Sequence, residues 1–97
     1  MITHIAIYKF KEVHTEEEIN KVLLGIKELK NKVCGIKEIL VGKNYSKWNK
    51  GYTHAIMILA CTQKAMDAYR SHPDHLALAK IFDEMEDKGI GIDFKAM

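Results

Sequence analysis

The sequence predicts a single α+β domain whose strands and helices follow the order βαββαβ. Three observations support this order. Four short stretches are rich in β-branched and aromatic residues, a capping box opens a helical pattern after the first stretch, and a proline divides the helical pattern before the last. A chain of 97 residues has the size of one domain, so we treat residues 1–97 as a single folding unit.

The first predicted strand covers residues 2–10, a stretch too short for a stable helix. Ile5 and Ile7 lie on one of its alternating faces. The other face carries His4, Ala6, Tyr8 and Phe10. Because both faces hold apolar groups, we expect this strand to be covered on both sides.

A helix is predicted to begin at Thr15. Thr15 and Glu18 have the spacing of a capping box, in which the threonine side chain accepts from the Glu18 amide and the Glu18 carboxylate accepts from the Thr15 amide. Six apolar residues follow at helical spacing on one side: Ile19, Val22, Leu23, Ile26, Leu29 and Val33. Gly35 is expected to end the helix or to begin the next element.

The second predicted strand covers residues 36–45, where apolar residues alternate with lysines and Leu40 lies on the opposite face. The polar stretch 44–51 ends in glycine, which indicates a loop. Its tryptophan, Trp48, is expected either to cover local apolar surface or to fold over a nearby pocket.

The third predicted strand covers residues 52–62 and again has two apolar faces. One face carries Tyr52, His54, Ile56, Ile58 and Ala60, and the other carries Ala55, Met57, Leu59 and Cys61. We therefore expect this strand, like the first, to be covered on both sides.

The segment from Tyr69 to His75 joins a phenol and two imidazoles around Pro73. Proline lacks an amide hydrogen and disfavours helical geometry in the residue before it, so the arriving helix is predicted to end near Ser71. Pro73 is well suited to be the first residue of the next helix, with Asp74 in its acidic first turn. The segment is therefore either a structural corner between two helices or a site whose side chains transfer protons.

The helical pattern is predicted to continue beyond the proline as far as Lys88, with Gly89 ending it. The apolar residues of this stretch are Leu76, Ala79, Phe82 and Met85. A closing strand follows, in which the alternating apolar residues are Ile90, Ile92 and Phe94.

These elements predict the ferredoxin-like arrangement, in which right-handed crossovers place both helical segments on one face of a four-stranded antiparallel sheet. The residues expected on the other, open face are Tyr8, Phe10, Leu40, Tyr52, Ile56 and Ile58. Such an apolar patch exceeds what monomers normally expose, so a second copy is expected to cover it by two-fold symmetry. An aspartate at Ile56 is expected to abolish that dimer.

Composition narrows the possible partners. Fifteen basic and thirteen acidic residues leave a net charge of +2, which does not favour nucleic acid or an anionic membrane as a partner. The sequence lacks an apolar run of membrane-spanning length and a signal peptide at its start, so we expect a cytoplasmic protein. Cys34 and Cys61 form no CxxC pair and are expected to be reduced, Cys61 packed and Cys34 in a turn.

Four short motifs together resemble the stress-responsive dimeric α/β-barrel family, known as Dabb. They are His4–Lys11, Val41–Asn44, the Gly-Tyr-Thr-His run of Gly51–His54, and the Tyr-x-x-His-Pro-x-His pattern of Tyr69–His75. The resemblance covers nearly the whole chain. It implies a homodimer whose two sheets form a barrel, with a pocket between the open sheet face and the helices.

A plant branch of this family contains a polyketide cyclase that closes its product by intramolecular aldol condensation without a metal or an organic cofactor. The resemblance implies that His75 abstracts a proton beside a carbonyl while Tyr69 orients it or donates to the developing enolate. The predicted pocket is completed by His4, His54, Tyr8, Ile26 and His72. Ile26 stands where that cyclase has a further tyrosine, so the plant substrate is not expected here.

No metal site or cofactor is predicted. His72 and His75 do not have the i, i+4 spacing of a zinc helix and lack a third ligand nearby. Some members of the family hold a magnesium ion at main-chain carbonyls that correspond to Lys30, Val33 and Ile36, and no carboxylate favours a cation there. No single histidine is marked as a haem ligand, and the strands lack the basic and aromatic pattern of an RNA-binding sheet.

Two functions remain open from the sequence. One is a stress-response A/B barrel homodimer that binds a small hydrophobic or carbonyl-containing molecule without an assigned reaction. The other is a cofactor-free acid/base enzyme acting on a carbonyl compound, either cyclase-like or monooxygenase-like. In the first case the histidines only fill the pocket, and in the second His75 and Tyr69 do chemistry.

Overall fold

The computed structural model describes all residues from 1 to 97 and contains one antiparallel sheet with its helices on one face. The strands are β1 (Ile2–Phe10), β2 (Ile36–Lys43), β3 (His54–Ala60) and β4 (Glu86–Lys95). The α-helices are α1 (Glu16–Glu28), α2 (Gln63–Ser71) and α3 (Pro73–Met85), and a short 3-10 helix covers Leu29–Asn31. The strand order is β2-β3-β1-β4. The predicted βαββαβ, ferredoxin-like fold is confirmed.

The first helix begins as predicted. The Thr15 hydroxyl oxygen accepts from the Glu18 amide at 3.1 Å, and the Glu18 carboxylate accepts from the Thr15 amide at 3.2 Å. These two bonds satisfy amides that a helix N-terminus leaves unpaired. All six apolar residues of the predicted stripe are buried, so this stripe packs α1 and the following turn against the sheet.

The corner between α2 and α3 is also as predicted. Helix α2 ends at Ser71, and Pro73 is the first residue of α3. His72 between them is extended, with φ −60° and ψ 135°, as expected before a proline. Its Nδ1 accepts a hydrogen bond from the Asp74 amide at 3.0 Å, so His72 caps α3.

The end of α3 differs from the prediction. The helix stops at Met85 rather than Lys88, and β4 begins at Glu86. Gly89 does not end the helix but pairs with Tyr8 of the neighbouring strand. The residues after Met85 gain a full ladder of hydrogen bonds with β1, and this tertiary pairing overrides the local helical pattern.

The faces of β1 and β3 are reversed relative to the prediction, whereas Leu40 of β2 lies on the open face as predicted. Phe10, Ile56 and Ile58 lie beneath the helices in the core, at 5%, 4% and 0% exposure. Tyr8 packs against the same core, and Tyr52 precedes β3. The aspartate predicted to break a dimer at Ile56 would therefore disrupt the core instead. Because both faces of β1 and β3 are apolar, alternation alone does not identify the face that the helices cover.

The open face carries the other apolar set, which we call the apolar sheet face. Pairing places Leu40, Met57, Ile5 and Ile92 in one row across the four strands. The full set is Ile5, Ile7, Leu40, Ala55, Met57, Leu59, Ile90, Ile92 and Phe94. Helices cover none of it, and Ile92 remains 52% exposed. A contiguous apolar surface of this kind marks an interaction site.

Three single-residue expectations were wrong. Trp48 is 84% exposed and covers neither apolar surface nor a pocket. Cys61 is exposed rather than packed, whereas Cys34 lies in a turn as predicted. Leu76 points to solvent, and Leu78 packs against the core in its place. None of the helices combines the length and apolar character that a bilayer crossing requires.

Candidate functional site

A cavity of about 340 Å³ lies between the helix-covered face of the sheet and the α2–α3 corner. Its apolar lining consists of Ile26, Ile56, Ala79 and Phe82, together with two tyrosine rings. Its polar groups come from His4, Tyr8, Tyr69, Arg70, His75, Asp83 and Glu86. The cavity is thus on the opposite side of the sheet from the apolar sheet face, not against it as the resemblance implied.

The α2–α3 corner brings Tyr69 and His75 together. Tyr69 lies in the last turn of α2 and His75 in the first turn of α3, and Pro73 starts the second helix at an angle to the first. The two ring centroids are 4.6 Å apart, with an angle of 54° between the ring planes. Both side chains line the cavity.

One hydrogen bond determines which ring nitrogen of His75 carries the proton. Its Nδ1 lies 2.9 Å from the main-chain oxygen of Arg70. A carbonyl oxygen only accepts, so Nδ1 carries the hydrogen and the neutral ring keeps a lone pair on Nε2. Nε2 makes no hydrogen bond, and no polar side-chain atom is both fully buried and unpaired, so Nε2 opens to the cavity.

Burial lowers the pKa of His75 below its ordinary 6.5, and the Arg70 charge acts in the same direction, against the bond to the Arg70 carbonyl. The imidazole is therefore neutral at pH 7 and available as a base. Burial likewise raises the pKa of the Tyr69 phenol, which stays protonated at neutral pH and able to donate a hydrogen bond. The Tyr69 hydroxyl has no protein partner and, by the same reasoning as for Nε2, opens to the cavity.

His4 takes part in a polar cluster at one end of the cavity. The pairing of His4 with Asp93 in the sheet places their side chains together, with His4 Nδ1 2.6 Å from Asp93 Oδ1. Arg70 Nη2 donates to the same oxygen at 2.5 Å. Partial burial opposes ionisation of Asp93, but the hydrogen bonds from His4 and Arg70 outweigh it and lower the Asp93 pKa.

The other end of the cavity is acidic. Asp83 and Glu86 line it near Tyr8, whose pKa is raised by burial and by these two carboxylates. Tyr8 and His4 are four residues apart on β1, which separates the two ends by about 13 Å. The cavity therefore has the ion pair of Arg70 and Asp93 at the His4 end and two carboxylates without a cationic partner at the Tyr8 end.

Two predicted pocket residues lie outside the cavity lining. His54 is 3% exposed, with Nδ1 2.8 Å from the Thr53 hydroxyl and Nε2 3.2 Å from a Glu16 carboxylate oxygen. It links the start of α1 to β3. His72 caps α3, as described above. The cavity does contain the other predicted residues, namely His4, Tyr8, Ile26, Tyr69 and His75.

Four charged residues of the site were not predicted from the sequence: Arg70, Asp83, Glu86 and Asp93. Arg70 carried the clearest signal, because it directly follows Tyr69 in the singled-out segment. Asp93 breaks the apolar alternation of the last strand between Ile92 and Phe94, but its contact with His4 depends on a register that the sequence does not reveal.

The main-chain carbonyls considered above for a magnesium ion, those of Lys30, Val33 and Ile36, lie in and after the 3-10 helix that follows α1. The Val33 carbonyl already accepts from the Ile36 amide at 3.4 Å. The Lys30 ammonium group lies 3.5 Å from Glu38 and brings positive charge to the same turn. Across the whole chain, no three residues among His, Cys, Asp and Glu are grouped so that they could hold a metal ion.

Comparison with known proteins gives the family. The model of the Stress responsive A/B Barrel Domain, Dabb, matches residues 2–96. The chain belongs to the Dabb family. Stress-response A/B barrel domain-containing protein HS1 of Arabidopsis thaliana is 31% identical to this Dabb chain over 96 residues, which cover 97% of this chain and 88% of HS1. Olivetolic acid cyclase of Cannabis sativa is 24% identical over 95 residues, covering 96% and 94%.

Solved structures share the Dabb fold. The crystal structure of At3g17210 from Arabidopsis thaliana has a TM-score of 0.89 at 29% identity, covering 100% of this chain and 96% of that one. A protein of Thermobifida fusca, described as dimeric, ferredoxin-like and of unknown function, has a TM-score of 0.85 at 22% identity, covering 98% and 90%. Hydroxynitrile lyase from Passiflora edulis has a TM-score of 0.88 at 19% identity, covering 99% and 93%. The family resemblance noted in the sequence is confirmed.

Proposed function

We propose that this Dabb protein is a homodimer whose subunits each bind a small carbonyl-containing organic molecule in the cavity at the α2–α3 corner. The observation that carries this proposal is the pair of unpartnered polar atoms, His75 Nε2 and the Tyr69 hydroxyl, that open into one apolar-lined cavity. Polar atoms in such a place normally have a partner, so a ligand supplies it.

The apolar sheet face supports the homodimer. Its central row contains only apolar side chains, with Ile92 and Leu40 half exposed at the two ends. The structurally similar Thermobifida fusca protein is described as dimeric. Two copies of this face related by two-fold symmetry would bury each other and form a barrel from two sheets. The cavity lies on the opposite face and stays open in each subunit.

The chemistry of the cavity supports a carbonyl-containing ligand. A carbonyl oxygen accepts hydrogen bonds, and the protonated Tyr69 phenol is a donor that has no acceptor within the protein. The apolar lining of Ile26, Ile56 and Phe82 suits a hydrocarbon skeleton. At about 340 Å³ the cavity lies at the small end of the usual range for ligand sites, roughly 300 to 1,000 Å³.

A second function, acid/base catalysis, is favoured by the state of His75. A neutral imidazole with a free Nε2 can take a proton from a carbon beside the carbonyl, while the Tyr69 hydroxyl donates to the oxygen of the resulting enolate. The proton on His75 is then returned to the same or another carbon. The relative named olivetolic acid cyclase supports the idea that this fold accommodates an enzyme. Such a pair typically contributes about 10² to 10⁴ in rate.

Binding is tested by titrating the isotope-labelled protein with acetophenone and recording NMR spectra. We expect saturable shifts in the ring resonances of Tyr69 and His75, because both lie in the cavity, and none at Trp48, which is far more exposed. Ethylbenzene has the same ring and two-carbon side chain but no carbonyl oxygen, and it is expected to bind more weakly. Shifts confined to the apolar sheet face, or equal binding of the two probes, would contradict the proposal.

A further inference from the structure

Arg70 adds a cationic group to the cavity. Neither binding of a carbonyl group nor proton transfer, as proposed above, requires this cation. It follows Tyr69 in α2, lines the cavity and is 38% exposed in its side chain. Its Nη2 contacts Asp93 and His4, at 2.5 and 3.2 Å. The remaining N–H groups of the guanidinium make no hydrogen bond with the protein.

Asp93 holds the Arg70 side chain in place but accepts from only some of the N–H donors of the guanidinium. A guanidinium has five N–H groups in a planar fork, and the contacts with Asp93 and His4 involve only one of its three nitrogens. The anchored side chain loses less conformational freedom when it binds a second acceptor. Arg70 is therefore prepared to bind another anion through its free N–H groups.

The charges of the cavity define one orientation for such an anion. Arg70 lies at the His4 end, whereas Asp83 and Glu86 lie at the Tyr8 end. The Asp93 carboxylate offsets part of the Arg70 charge, whereas no cationic side chain is paired with Asp83 or Glu86. An anionic substituent is therefore repelled more strongly at the second end than at the first, where free N–H groups of Arg70 can also donate to it. A ligand with one negative charge would thus bind in a single orientation, with its charged group beside Arg70.

We propose that the cavity selects carbonyl compounds that also carry a carboxylate, and that Arg70 is the residue that recognises the carboxylate. The free guanidinium N–H groups donate to the carboxylate oxygens, a charge-assisted bond that is stronger than a neutral one. The carbonyl oxygen of the same molecule accepts from Tyr69. This inference rests on the proposed function, because it concerns the same cavity, and it names the class of ligand.

The test compares 4-acetylbenzoate with 4-acetylbenzamide. The two probes share the ketone and the ring and differ in the charge of one substituent. In isothermal titration calorimetry at low salt, we expect the wild-type protein to bind the benzoate about five- to tenfold more tightly than the benzamide. The expected factor is modest because the Arg70 side chain is partly exposed to solvent, which weakens its ion pairs. The preference should shrink as salt is added, since screening weakens a partly exposed ion pair.

Two variants assign the preference to Arg70. Arg70→Gln removes the guanidinium charge and is expected to bring the two affinities within about twofold of each other. Lys64→Gln is the matched control, because Lys64 is an exposed residue of the same helix that does not line the cavity. It removes the same charge and is expected to leave the preference intact. Circular dichroism verifies that both variants are folded.

The outcomes separate the two proposals. If the wild-type protein binds both probes equally, the inference about Arg70 is wrong while the binding cavity stands. If Arg70→Gln keeps the wild-type preference, or Lys64→Gln loses it, the inference is again wrong. If neither probe binds, the proposed function fails, and the inference fails with it.

Discussion

Replacing Ile92 by aspartate is expected to convert the dimer into monomers. Ile92 lies at one end of the central row of the apolar sheet face and is 52% exposed in a single subunit. A carboxylate there remains solvated in the monomer, so the fold is retained. In a dimer built on this face the charge would be buried without a partner, at a cost of about 3 to 5 kcal/mol.

The measurement is light scattering on a size-exclusion column. The wild-type protein should give about twice the chain mass of 11.1 kDa at micromolar concentration, and Ile92→Asp should give the mass of one chain. Leu24→Asp is the matched control. Leu24 is 56% exposed on α1 and distant from the apolar sheet face, so the same chemical change should leave the dimer intact. A monomeric wild-type protein or a dimeric Ile92→Asp variant would contradict the account of this surface.

Replacing His75 by glutamine is expected to slow proton transfer in the cavity by several orders of magnitude. The assay follows the exchange of acetophenone methyl protons for deuterium in heavy water. A C–H bond of the methyl group breaks and its proton moves to His75 Nε2, while the enolate oxygen accepts from Tyr69. The Nε2 proton then exchanges for a deuteron of the heavy water, and that deuteron is transferred from Nε2 to the carbon, which restores the ketone and the neutral imidazole. Loss of the base should slow the protein-dependent rate by about 10² to 10⁴, and Tyr69→Phe should also slow it by removing the donor.

Stability measurements separate this role from a structural one. Tyr69→Phe removes a hydroxyl that has no protein partner, and a glutamine amide at position 75 can still donate to the Arg70 carbonyl. Both variants should therefore melt within a few degrees of the wild-type protein. Pro73→Ala is the control, since it loosens the corner without touching a proton-transfer group. A His75→Gln protein that melts much earlier but exchanges protons at the wild-type rate would contradict the catalytic function.

Local features were the most predictable part of this chain. The capping box at Thr15 and the break at Pro73 depend on residues within one helical turn, so their spacing alone locates the helix ends. The corner also brings Tyr69 and His75 together, because the break lies between them. These two candidate residues could be named from the sequence for that reason.

Non-local features could not be predicted in the same way. The buried face of β3 was assigned wrongly because Ile56 and Met57 are both apolar and only packing against the helices distinguishes them. The Arg70 and Asp93 contact depends on the register between the first and last strands. The helix end was misplaced because pairing of Gly89 with Tyr8 outweighs local helical preference.

The state of the His75 imidazole decides whether the cavity holds a base, and ¹⁵N NMR reports that state directly. We expect the proton on Nδ1, a lone pair on Nε2, and a pKa below the ordinary 6.5. Because the pKa is lowered on folding, the stabilising effect of the neutral ring is complete above pH 6.5 and is lost as the pH falls towards the folded-state pKa. A proton on Nε2, or a pKa above 6.5, would contradict the claim that the cavity holds a free base.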